Sequence, residues 1–164
     1  MTAASVVCAD VRSSTNSPDV SINVSRWATL AENVLATEGV NGELTLNFID
    51  RAEIAALNEE HMGRSGATDV LSFPMLDDDT PPGVPSLLGD VVISPAVAAD
   101  QFLDHAGTLD DELALLVVHG ILHVLDHDHA VEAEAAVMRT REVELLSAHH
   151  WGGPPPVGFC QTHD

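Results

Sequence analysis

Four of the nine histidines fall between positions 119 and 129, and their spacing is the first feature of the chain that suggests chemistry. His119 and His123 stand four residues apart in ELALLVVHGILHVL, residues 112–125, a stretch apolar on nearly every side that predicts a buried helix. That spacing sets both imidazoles on one helix face, about 6 Å apart along the axis, close enough to share a metal ion. If the helix ran on, His127 would fall at i+8, about 12 Å from His119 along the axis. One ion does not reach both ends of that stripe. His129 needs the chain to turn near Asp126, after which it folds back over the first two. The favoured ligand set is therefore His119, His123 and His129, with His127 the competitor for third place. A single histidine in an apolar helix is more often a satisfied core residue. Two at this spacing, followed by a third within six residues, point to a metal.

Three imidazoles leave one coordination position open, the arrangement in which zinc brings the pKa of water to about 7 and polarises a phosphoryl oxygen. Hydrolysis is the reaction class. Where HExxH proteases carry their general base beside the first histidine, this chain has Gly120, so peptide hydrolysis by that route lacks its base. Asp128, between two histidines, can orient a ligand imidazole, act as a base, or end the helix. The spacing names no substrate, and three imidazoles also suit nickel or copper.

The elements that must hold these residues are legible in outline. Residues 5–11 read as a short strand, with a turn over Ser13–Pro18. Val24, Trp27, Ala31, Val34 and Leu35 recur at helical spacing, and Gly39 and Gly42 mark the end. Glu43–Ile49 alternates as a half-buried strand. Asp50 predicts the N-cap of a helix that turns Ile54, Leu57 and His61 inward. Thr68–Phe73 and Leu87–Ser94 are strand candidates separated by the loop LDDDTPPGVPS, and Pro95 opens a short helix ending near Gly107. Thr108 caps the histidine helix, with Asp110, Asp111 and Glu112 in its first turn, where the helix dipole favours negative charge. A last helix over about 131–148 sets Val137, Val143, Leu145 and Leu146 against a charged face. The sum is a single α+β domain of about four strands and five helices over residues 1–150, then a Gly/Pro-rich tail over 151–164.

Length and charge bound the reading. The 164 residues are 45% apolar, enough for a core, so disorder is excluded, and no run of 18 apolar residues suggests a membrane span. The start MTAASVVCADVRSS lacks the marks of a signal peptide, which predicts a cytoplasmic protein. Cys8 and Cys160 read as reduced thiols. Six arginines, no lysine and 26 acidic residues give a net charge of −20, at first sight an argument against nucleic acid.

The stretch from His119 to His129, HGILHVLDHDH, closely resembles the HGxLHLxGYDH signature of the YbeY family of bacterial endoribonucleases. Thr68–Pro74 resembles the family's PTDVLSFP strand, and Leu88–Ser94 its LGDIxIS strand. The resemblance implies one zinc ion per chain held by His119, His123 and His129, and single-strand-specific cleavage in small-subunit rRNA 3′-end maturation and ribosome quality control. It also implies a mixed sheet with the metal helix, zincin-like in its HxxxH pair, beneath an open cleft. A small-subunit ribosomal protein and an assembly GTPase are the implied partners. Three positions depart from the pattern: Asp126 for the usual Gly, His127 for Tyr, and Met62 for a catalytic Arg. Arg64, two residues after Met62, is the substitute cation, and with Asp128 it completes the candidate catalytic set. The rival readings are a metal-dependent hydrolase of another substrate and a non-catalytic zinc-containing assembly factor. The acidity then predicts that free RNA binds weakly and is recognised locally, through the metal, Arg64, and Arg139 or Arg141 if the last helix borders the cleft. The remaining bland readings are Asp69 as a turn cap, Ser72 facing solvent, and Asp90 in a strand-start hydrogen bond.

Overall fold

A computed structural model describes residues 6–11, 22–40, 42–75, 87–125 and 132–161. The chain runs β1 (Val6–Val11), α1 (Val24–Thr37), β2 (Glu43–Phe48), α2 (Arg51–Met62), β3 (Val70–Pro74), β4 (Leu87–Ile93), α3 (Pro95–Gln101), α4 (Leu109–Val124) and α5 (Glu132–Leu146). A 3₁₀ turn follows α3 at Phe102–Asp104, and a π-helical turn follows α5 at Ser147–Trp151. The expected turn at Ser13–Pro18, the loop over 76–86, and Asp126, His127, Asp128 and His129 lie outside the described residues. Among the described residues no helix is long and apolar enough to cross a membrane.

The fold is α+β with a mixed sheet in the order β1-β2-β4-β3. β1 and β2 run parallel with Val6 opposite Glu43, as do β2 and β4, while β3 lies antiparallel to β4 at the edge. Strict alternation in β2 buries Leu44, Leu46 and Phe48, as its sequence predicts. These residues join Val91 and Ile93 of β4, the inner stripe of α1, and nearly all of α4 in the main core. The opposite face is covered by α2, where Ile54 packs with Ile49, Leu71 and Val92.

Capping fixes where the helices begin. Asp50 Oδ1 accepts from the Glu53 amide (2.8 Å), and Thr108 Oγ1 accepts from the Asp111 amide (3.1 Å), each satisfying an orphan donor of the first turn. Ser94 Oγ caps α3, with Pro95 at its first position.

Two inward assignments are corrected. His61 is exposed and meets Phe73 edge-on (5.2 Å between centroids); α2 buries Asn58 in its place, whose Nδ2 donates to the Gly66 carbonyl (3.0 Å). Val137 is 62% exposed, because the face that α5 turns toward α4 carries Met138, Glu142, Leu145 and Leu146. The segment after the π turn has no helix or strand among its described residues, yet it packs back on the domain. Trp151 meets Phe159 edge-on (4.8 Å between centroids), and the Cys160 amide donates to the His105 carbonyl (3.0 Å).

α4 lies unusually close to the sheet. A Cβ built at Gly120 would stand 2.5 Å from Val91 Cγ1 and 3.3 Å from Val70 Cγ2. Val91 is fully buried and β-branched, so it has little rotamer freedom with which to yield. Gly120→Ala gains about 1 kcal/mol of helix propensity but overpacks by about 1–3 kcal/mol. A net destabilisation of up to about 2 kcal/mol is expected in urea unfolding; a higher midpoint would show that the sheet gives way freely.

Candidate functional site

α4 packs on the sheet through Gly120, with His119 beside that glycine in the helix and His123 almost one turn further on. Both imidazoles line one cleft. His119 is buried, at 7% exposure, and its Nε2 stands 3.1 Å from His123 Nε2, the rings crossing at 74°. Two imidazole nitrogens on a tetrahedral zinc, each at about 2.05 Å, lie roughly 3.3 Å apart. The pair therefore fits a shared metal ion. Among the described residues no third His, Cys, Asp or Glu joins them, and the expected third ligand His129, its competitor His127 and the neighbouring Asp128 fall outside those residues. A side chain at position 120 points into β4 and not into the cleft, so no general base can stand there.

The cleft has a volume of about 720 Å³. Its floor is the histidine pair, one wall is edge strand β3, and the other walls come from α3, the C-terminal end of α2 and the loop over 64–69. Gly63, at φ +66°, ends α2 in the left-handed conformation, with the Arg64 amide reaching back to the Asn58 carbonyl (3.4 Å). This stop delivers Arg64 to the cleft lining beside Met62, in the same cavity as His119 and His123. Arg139 and Arg141, considered from the sequence as RNA contacts, do not line it. Arg141 is held by Glu38 and Glu144, and their hydrogen bonds, that of Glu144 foremost, raise its pKa above the ordinary value. Arg26 pairs with Asp110 and Arg51 with Asp100. Arg64 has no ion-pair partner among the described residues, which leaves its charge available to a ligand in the cleft.

In the cleft lining, and behind it at Glu112 and Asp111, lies a set of polar groups that the sequence reading did not assemble. Glu112 of α4 is fully buried; it accepts from Gln101 Nε2 (3.0 Å) and the Ala106 amide (3.2 Å), and His105 Nδ1 lies 3.4 Å from it. The same Gln101 amide donates to Asp69 Oδ2 (2.9 Å), while Asp69 Oδ1 accepts from the Val70 amide (2.8 Å). Asp69 therefore does cap the start of β3, as its position suggests, and also ties that strand to α3 and α4. Ser72 does not simply face solvent: its hydroxyl donates to the Gly120 carbonyl (2.9 Å), linking the edge strand to the histidine helix. Asp111 accepts from His150 (2.8 Å) and Trp151 (2.9 Å), so the acidic first turn of α4 works as two buried hydrogen-bond hubs besides complementing the dipole. One sequence signal for Glu112 exists: it precedes His119 by seven residues, two helical turns, inside an otherwise apolar stretch.

Gln101 thus gives both amide hydrogens to carboxylates. Gln101→Leu leaves Asp69 and Glu112 each short of a donor and is expected to destabilise the fold by about 2 kcal/mol. Thermal or urea unfolding measures it, and an unaltered transition would mean other donors replace the amide.

A paired-imidazole cleft cut into a small mixed-sheet α+β domain suits metal-assisted hydrolysis. The comparisons with known proteins make that particular. The family model described as endoribonuclease YbeY matches residues 12–150. Among curated proteins, the chain is similar to endoribonuclease YbeY of Mycolicibacterium gilvum, 40% identical over 139 residues, covering 80% of this chain and 78% of that one. It is 43% identical over 144 residues to endoribonuclease YbeY of Acidothermus cellulolyticus, covering 81% and 87%. A solution structure of a Thermotoga maritima protein shares the fold, with a TM-score of 0.57 at 19% identity, covering 89% of this chain and 93% of that one. The chain belongs to the endoribonuclease YbeY family, a family of hydrolases that act on RNA.

Proposed function

We propose that this protein is a zinc-dependent endoribonuclease specific for single strands, with His119, His123 and His129 as the ligands of one zinc ion per chain. Its place would be 3′-end maturation of small-subunit rRNA and ribosome quality control in the cytoplasm, beside small-subunit components and an assembly GTPase. The observation that carries this reading is the approach of His119 Nε2 to His123 Nε2, 3.1 Å, at the floor of a cleft that also holds Arg64. A zinc ion bound there supplies Lewis acidity toward a phosphoryl oxygen and acidifies water. The chain's own residues do the rest. Arg64 receives the scissile phosphodiester at the mouth and draws its charge toward the histidines. Edge strand β3 limits the cleft on one side, and Ser72 keeps that wall in register with α4 through the Gly120 carbonyl. Asp128, as the neighbour of the third ligand, is the candidate proton acceptor.

The acidity shapes how substrate arrives. With a net charge of −20, attraction to a phosphate backbone is not spread over the surface. The strand is delivered by a ribosomal partner and gripped locally at Arg64.

Metal content and cleavage of single-stranded RNA, measured together on wild type and three variants, test the reading. His123→Ala is expected to lose the zinc and to cleave at background level. Undiminished cleavage by the zinc-free variant would overturn the mechanism, and a wild type that holds one zinc yet cleaves nothing would favour the assembly-factor role. His129→Ala should lose the metal while His127→Ala keeps it; the reverse result would exchange the third ligand.

A further inference from the structure

We propose that Glu142 is the positioning residue for His119, a role that rests on the reading of His119 and His123 as metal ligands. Glu142 lies on α5, 23 residues from His119, and is 2% exposed. It stands on the face that α5 turns toward α4, among Met138, Leu145 and Leu146. A carboxylate in such company is costly to bury without a partner. Its Oε1 lies 3.4 Å from His119 Nδ1, while Oε2 is buried with no hydrogen-bond partner among the described residues. Glu142 therefore faces the ring nitrogen opposite to the one that approaches His123. That placement excludes it as a ligand and suits it to a different task.

A carboxylate oxygen accepts, so Nδ1 must carry the proton and Nε2 must present its lone pair. The hydrogen bond selects the tautomer in which His119 Nε2 can ligate, fixes the ring plane, and raises the basicity of the ligating nitrogen. The sequence reading looked for such a carboxylate at Asp128, next to the ligands along the chain; Glu142 reaches His119 from another helix.

The test is zinc affinity of the purified full chain, measured by competition with a chromophoric chelator, with the melting temperature of each metal-free protein followed alongside. Glu142→Gln keeps an acceptor and is expected to bind zinc about 10-fold more weakly; Glu142→Leu keeps none and should bind about 100-fold more weakly. Unchanged affinity in both variants, with or without a lower melting temperature, overturns the proposal and leaves the metal site standing. A wild type that takes up no zinc overturns both. Should neither variant fold, nitrogen-15 NMR of the zinc-loaded wild type decides: a protonated His119 Nδ1 with the metal on Nε2 is expected, and metal on Nδ1 refutes the assignment.

Discussion

A helix buried on every side has no solvent to satisfy its polar side chains, and α4 carries several. Residues 111–122 are all buried, Asp111, Glu112 and His119 among them. Each polar group left unpaired in that setting would cost about 1–3 kcal/mol, so neighbouring elements must bring partners to it. The π turn brings His150 and Trp151 to Asp111, α3 brings Gln101 to Glu112, and α5 brings Glu142 to His119. Much of the packing around α4 can be understood as the supply of these partners. The histidine pair is held in place by the same requirement.

Close packing on the other side of α4 completes the arrangement. Gly120 lets the helix settle against Val91 and Val70, with His119 beside it at the floor of the cleft and Ser72, which donates to the Gly120 carbonyl, in the wall. The glycine that deprives the site of a protease-type base is therefore also the residue that allows the site to sit against the sheet. A catalytic base is absent at that position for a geometric reason as well as a chemical one.

Charge follows a similar economy of placement. Three of the described arginines are tied to carboxylates, and Arg64 is the cation that lines the cleft. A chain with so few basic residues is poorly suited to attract RNA through a broad field, since the summed potential of 26 acidic groups opposes it. Family membership and acidity are compatible on those terms.

Periodicity and capping made the secondary elements legible, because these are local properties: the alternation of β2, the caps Asp50 and Thr108, and the i,i+4 histidines all depend on residues within a few positions of one another. The same locality explains the errors at His61 and Val137, where helical spacing allowed two inward faces and the packing of the neighbours chose between them. The sequence by itself determined that His119 and His123 share a face, since 3.6 residues per turn permits nothing else in a continuous helix, and its motifs identified the family. Only the tertiary structure decided that Glu142 stands behind His119, that Gln101 joins Asp69 to Glu112, and that Arg64 rather than Arg139 or Arg141 reaches the cleft. Those choices bring together side chains 11, 23 and 32 residues apart, and what selects them is the burial of whole helices against one another.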